Sequence, residues 1–205
     1  MRKYEKYYWP TGDRRTPFIV MNESKRIPLY LKWVNNFSTC LQAGGNVGVY
    51  ANILAESFSK VITVEPDSEN YECLNRNVTK PNVVKIHAAL SSEVGFVDTF
   101  RPDFEKENYG ATQIKKTEVG IKTVRIDDMN LDSLDFLMLD IEGWEHFALL
   151  GAAQTIEKFK PTISLELKGL GKKNGYTDQQ TKDWLNKTFG YTIKEEIGKD
   201  WIFVV

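Results

Sequence analysis

Cysteine is nearly missing from this chain of 205 residues: Cys40 and Cys73 stand apart, with no Cys-x-x-Cys pair and no Cys/His cluster. Two cysteines cannot build a disulfide framework, and the two histidines offer no zinc-ligand spacing, so no metal is expected. Long apolar runs are missing too. No segment approaches the roughly eighteen uncharged apolar residues of a membrane span. The opening "MRKYEKYYWP" lacks the apolar stretch of a signal peptide, so the expected location is cytoplasmic, with no membrane partner. Nor is there an excess of charge. A formal net charge of −1 argues against a chain that binds nucleic acid through bulk positive potential.

What is present is the balance of a globular protein, 41% hydrophobic and 27% charged, long enough to bury a core without disulfides or metal. Residues 1–38 differ from the rest. They carry eight Lys or Arg against three Asp or Glu, together with Tyr4, Tyr7, Tyr8 and Trp9. This segment reads as an extension whose aromatics pack on the domain formed by residues 39–205; a surface facing an anionic or sugar-like partner is the alternative.

From residue 39 the pattern alternates. "TCLQA" and "KVITVE" are short β-rich runs, and Val49, Tyr50, Ile53, Leu54 and Phe58 fall between them at helical spacing. A second helix is expected after Pro66, capped by Asp67 or Ser68, with Tyr71, Leu74 and Val78 on one face. "NVVKIHAAL" reads as a third strand. Strand, helix, strand, helix, strand predicts a parallel sheet with right-handed crossovers. "LDFLMLD" is the clearest buried strand, followed by a helix interrupted at Gly151 and then by "TISLEL". A helix from about Thr177 to Lys187 and a hairpin of "YTIKEEI" and "WIFVV" about the "GKD" turn complete the chain. The middle is less regular. "GFVDTF" and "VGIKTVRI" are candidate strands, and residues 101–118 between them read as a polar loop, either a functional flap or a surface excursion.

Ligands of open parallel sheets bind beyond the carboxyl ends of the strands. Those ends here are Gln42–Gly48, Glu65, His87–Ala89, Asp140–Gly143 and Glu166. Glu65 can accept hydrogen bonds from both hydroxyls of a ribose, or it can cap the helix that follows. The glycine turn itself leaves the cofactor open. A G-x-G-x-x-G match ending on Gly48 has Ala43 in its first place, and an acidic-x-G-x-G-x-G match has Gln42 in the acidic place and Asn46 in the second glycine place.

Several segments together, "AGGNVGVYA", "VITVEPDSENYECLNRNV", "AALSSEVG", "LDFLMLDIEGWEHFALLGA" and "KPTISLEL", resemble the FkbM family of S-adenosylmethionine-dependent methyltransferases over roughly residues 39–168. The D-x-E-G-x-E segment, Asp140, Glu142, Gly143 and Glu145, carries the resemblance furthest. The family's first motif usually reads D-x-G-A-N-x-G, so Gly44, Asn46 and Gly48 match while Gln42 and Gly45 depart. The resemblance implies a Rossmann-like doubly wound α/β fold with a mostly parallel seven-stranded sheet and a C-terminal antiparallel hairpin. It also implies S-adenosylmethionine as methyl donor and O-methylation of a small-molecule or sugar hydroxyl.

On this reading the cofactor contacts are expected from Gln42, Gly44, Gly45, Asn46, Gly48, Glu65, Pro66, His87, Ala88 and Asp140, and the chemistry from Asp140 and Glu142. Glu142 and Glu145 could instead cap the helix starting near Trp144. His146, four residues after Glu142, could join Asp140 and Glu142 around a hard metal, a poorer reading for want of a fourth ligand. Trp144 could wall the acceptor or sit in the core. A neutral Gln42 gives up charge attraction, so Gln42→Asp is expected to tighten donor binding. A nucleotide-binding module without transfer activity and an NAD-dependent oxidoreductase are the competing functions.

Overall fold

A computed structural model describes residues 1–205. Its centre is a seven-stranded sheet in the order β12-β13-β11-β10-β3-β4-β5. The five strands β3 (Thr39–Ala43), β4 (Lys60–Val64), β5 (Val83–Ile86), β10 (Phe136–Leu139) and β11 (Thr162–Glu166) run parallel. β13 (Asp200–Val204) is antiparallel to both β11 and β12 (Thr192–Ile197), which gives the C-terminal hairpin expected from the sequence. β3 and β10 are buried on both faces, as central parallel strands must be, and "FLML" of β10 is apolar for that reason.

Alternation along each strand divides the core between two layers. On one face Cys40, Val61, Phe136, Met138 and Ile202 meet α1 (Thr16–Glu23), α2 (Ile27–Leu31), α3 (Val49–Leu54) and α4 (Ser68–Asn77). On the other Leu41, Ile62, Leu137, Leu139 and Phe203 meet α5 (Glu145–Leu150), α6 (Ala153–Phe159) and α7 (Asp178–Phe189). Two helices begin on local signals legible in the sequence. Asp67 caps α4 by accepting from the N–H groups of Glu69 and Asn70, and Thr177 with Gln180 forms a capping box on α7.

The N-terminal segment contributes to the first layer. A short hairpin, β1 (Arg2–Tyr4) with β2 (Tyr7–Trp9), buries Trp9 completely, and Ile27 and Tyr30 of α2 are buried beside it. Tyr8 remains partly exposed, with the Arg76 guanidinium 3.7 Å over its ring.

The middle of the chain differs from the sequence expectation. "NVVKIHAAL" is two strands rather than one: β5 ends at Ile86, and β6 (Ala89–Leu90) starts a second sheet in the order β6-β9-β7-β8. β7 (Gly95–Phe100) and β9 (Ile121–Val124) are the candidate strands named above. The supposed loop 101–118 contains β8 (Gln113–Thr117), paired antiparallel with β7 in the register Phe96↔Thr117 to Phe100↔Gln113. Its exposed lysines hide the alternation, because only Gln113 is buried.

Candidate active site

Beyond the carboxyl ends of β3, β4 and β10 lies a cleft lined by Ala43, Gly44 and Asn46 of the glycine turn, by Glu65, Pro66, Ala88 and Asp140 with Glu142, and roofed by Tyr109, Gly110, Thr112 and Ile114. Gly44 holds a φ of +82°, and a Cβ there would lie 2.0 Å from the Asp140 carbonyl oxygen. Only glycine lets the turn pass so close to the end of β10.

Four of the turn's N–H groups are already bonded. Gly44 and Gly45 both donate to the Val64 carbonyl, at 3.2 and 2.9 Å, Gly48 donates to Gly45, and Asn46 donates to Glu65 Oε2 at 2.7 Å. A pyrophosphate cradle needs such groups free and pointing at the anion. This turn therefore suits a cofactor recognised through carbonyls and side chains.

Glu65 is 4% exposed and accepts from Asp67 N at 2.8 Å through its other oxygen. Burial pushes its carboxyl up to about 8, against the pull of the two backbone N–H groups. Each oxygen has one internal partner, which leaves each a second lone pair. Asn46 and Asn70 also line the cleft, and each has a buried side-chain oxygen without a partner.

Where Asp140 and Glu142 line the cleft, three carboxylates converge. Asp140, Glu142 and Glu166 bring one oxygen each within 4.8 Å of one another. Lys168 supplies the positive charge, its Nζ lying 2.9 Å from Glu142 and 2.6 Å from Glu166. Asp140 is held well above the ordinary carboxyl range by burial first and by Glu166 next. Burial also raises Glu142, with Lys168 opposing it. Tyr50, on α3, forms part of the same wall, and its phenol is raised by burial and by the charge of Asp140.

Some expected residues stand elsewhere: Gly45 and Gly48 do not line the cleft, and a Cβ at either would meet Leu74 on α4. Gln42 is absent from the lining; its amide bonds Gly44 and Thr63. His87 is exposed, stacks on Tyr71 with ring centroids 4.5 Å apart, and contacts the Pro66 carbonyl, so it does not line the cleft either. His146 does not join the carboxylates: its Nδ1 lies 3.0 Å from Thr181 Oγ1, and its ring stacks on Tyr176. Trp144 is buried outside the cleft. Glu145 accepts from Ile141 N and Gly143 N, tying the turn that carries Glu142. Lys168 was not foreseen, although its place two residues after Glu166 puts it on the same side if the extended backbone continues.

The roof is clasped to the N-terminal segment. Arg14 N and Arg15 N donate to the Glu107 carbonyl, Gly110 N donates to Thr16 Oγ1, and Asn70 Nδ2 donates to the Tyr109 carbonyl. Arg101 pairs with Asp67 at 3.0 Å and lies 3.6 Å over the Tyr109 ring. Asp67 thus serves both the α4 cap and the roof. Asp67→Ala is expected to cost about 1–2 kcal/mol in urea unfolding, and Asp67→Asn, which keeps a cap, to recover most of it.

A doubly wound sheet with these strand-end groups defines the class I methyltransferase fold. Residues 42–193 match the family described as the methyltransferase FkbM domain, and the chain belongs to that family, whose methyl donor is S-adenosylmethionine. The FkbM methyltransferase from Methylobacillus flagellatus is similar at 18% identity and a TM-score of 0.56, covering 82% of this chain and 44% of its own. This chain therefore spans less than half of that protein. The precorrin-8w decarboxylase of Methanobacterium thermoautotrophicum is similar over 100% of both chains at 11% identity and a TM-score of 0.59. The N-methyltransferase NodS from Bradyrhizobium japonicum, solved with S-adenosylhomocysteine, is similar at 9% identity and a TM-score of 0.55, covering 93% of this chain and 87% of its own. No curated protein sequence matches the chain. No helix is long and apolar enough to cross a membrane.

Proposed function

We propose that the protein transfers a methyl group from S-adenosylmethionine to a hydroxyl of a small molecule or sugar. The observation that carries this reading is that one cleft is lined by Glu65 and by Asp140 with Glu142. Glu65 would hold the ribose hydroxyls through its free lone pairs, Ala88 would flank the adenine, and Asp140 would face the sulfonium. Methyl transfer is an in-line displacement from a good leaving group, so alignment is the main demand on the protein. When bound, S-adenosylmethionine would supply the methyl to the acceptor oxygen and leave as a neutral thioether that keeps the S–CH3 electrons, and a carboxylate of the cleft would take the hydroxyl proton. Asp140, which lines the cleft at the end of β10, is the preferred acceptor of that proton when ionised, with Glu142 second.

A thermal-shift panel tests the cofactor. S-adenosylmethionine and S-adenosylhomocysteine at 100 times their Kd should raise Tm by roughly 5–10 °C, from about 2.7 kcal/mol of added stability. NAD and ATP should leave it unchanged, because the N–H groups of Gly44, Gly45, Asn46 and Gly48 are already bonded and not free to cradle their phosphates. Stabilisation by NAD or ATP alone would sink the methyltransferase reading. Binding of the first two without turnover on a library of hydroxylated acceptors would favour a binding module instead.

A further inference from the structure

We infer that Thr63, with Gln42 and Gly45, forms a buried coupled set that positions the cofactor turn. The inference rests on the reading above that this turn holds the cofactor. Gln42 on β3 and Thr63 on β4 are direct partners in the parallel register, and both are buried, 1% and 0% exposed. Thr63 Oγ1 donates to Gln42 Oε1 at 2.7 Å, and Gln42 Nε2 donates to the Gly44 carbonyl at 2.8 Å. The chain of two bonds therefore runs from the neighbouring strand into the first peptide of the turn, and it fixes which way the Gly44 carbonyl faces. The opposite side of that peptide is fixed by Val64, whose carbonyl accepts from both Gly44 N and Gly45 N.

Gly45 completes the set sterically. A Cβ at residue 45 would stand 2.8 Å from Thr63 Oγ1, 2.8 Å from Leu74 Cδ1 and 3.2 Å from Glu65 Cβ. Leu74 can swing its far methyl aside. Thr63 cannot yield so easily, because its hydroxyl is held by Gln42 and its Cβ is fixed on a central strand. The space that the missing side chain of Gly45 leaves is the space that the Thr63 hydroxyl uses.

This reverses the expectation for Gln42→Asp. A carboxylate at 42 can accept from Thr63 but cannot donate to the Gly44 carbonyl, and its charge would be buried at a position only 1% exposed. Gln42→Asp should therefore loosen cofactor binding, not tighten it.

The test is a double-mutant cycle on the full chain with Gly45→Ala, Thr63→Ala and both together. It reads S-adenosylhomocysteine affinity by calorimetry and Tm without ligand. Each single change should weaken affinity about tenfold, the scale of one buried hydrogen bond or one displaced turn. The double variant should be no weaker than either single one, because removing the hydroxyl makes room for the new methyl. Multiplying effects, about 100-fold in the double variant, would overturn the coupling. Falls in Tm with affinity unchanged would show that the set supports the fold alone and would overturn the positioning role. If the unmodified protein binds neither S-adenosylhomocysteine nor S-adenosylmethionine, the cofactor reading fails and the positioning role fails with it. The Tm cycle then still reports whether Thr63 and Gly45 are coupled.

Discussion

Glu65→Ala is expected to weaken S-adenosylhomocysteine binding by about 100-fold or more while the protein still folds. Two charge-assisted hydrogen bonds to ribose hydroxyls contribute about 1.5 kcal/mol or more each, and about 1.4 kcal/mol is tenfold in affinity. The same carboxylate holds Asn46 N and Asp67 N, so its loss removes one tie between the glycine turn and the end of β4, while the bonds from Gly44 N and Gly45 N to Val64 remain. The fold should survive, because a buried carboxyl pushed up to about 8 is itself costly to ionise. The sign follows from linkage. Since the folded pKa lies above the unfolded one, the folded state binds the extra proton. The contribution of Glu65 to stability therefore declines as pH rises from about 4.5 toward 8. Ribose hydroxyls prefer the ionised form, so affinity should rise between about pH 7 and 9 and binding should release a proton. Calorimetry in buffers of different ionisation heat measures both, with Glu65→Ala as the flat control. An unchanged affinity in that variant would remove Glu65 from the site.

The parallel part of the fold was legible because each of its elements carries its own local signal. "LDFLMLD" is apolar throughout because β10 is buried on both faces, and Asp67 announces α4 because a cap needs an acceptor just before the first turn. β8 was not legible, because its partners decide it: Gln113–Thr117 is polar and mostly exposed, and only pairing with β7 makes it a strand. The site divides in the same way. Gly44, Glu65 and Asp140 could be placed from their position at strand ends, since topology alone brings those ends together. Gln42 and His87 occupy similar positions, but side-chain direction takes both out of the cleft. That information resides in neighbours distant in sequence. The two departures from the FkbM pattern, Gln42 and Gly45, are a further case, since both touch Thr63, some twenty residues away.

Lys168→Met should leave Asp140, Glu142 and Glu166 without their nearest cation and lower stability at neutral pH by about 2–3 kcal/mol. That is less than the roughly 3–5 kcal/mol for orphaning a fully buried charge, because the Lys168 side chain keeps 30% exposure. The loss should depend on pH in a defined direction. Asp140 and Glu142 already have raised folded pKa values, so their contribution to stability falls as pH rises above the unfolded carboxyl range. Without the ammonium that rise is larger, and the folded variant binds more protons than the folded parent. Each extra bound proton steepens the decline by about 1.4 kcal/mol per pH unit. Urea unfolding at pH 5, 6.5 and 8 should therefore show the variant near the parent at the acid end and progressively below it toward pH 8; parallel curves would mean that Lys168 does not hold this cluster. Ligands provide the second reading. On the proposed reading S-adenosylmethionine brings a sulfonium charge toward Asp140, whereas S-adenosylhomocysteine brings a neutral thioether. The ratio of their affinities should shift toward the charged donor in Lys168→Met, because the sulfonium then becomes the nearest positive charge to three carboxylates.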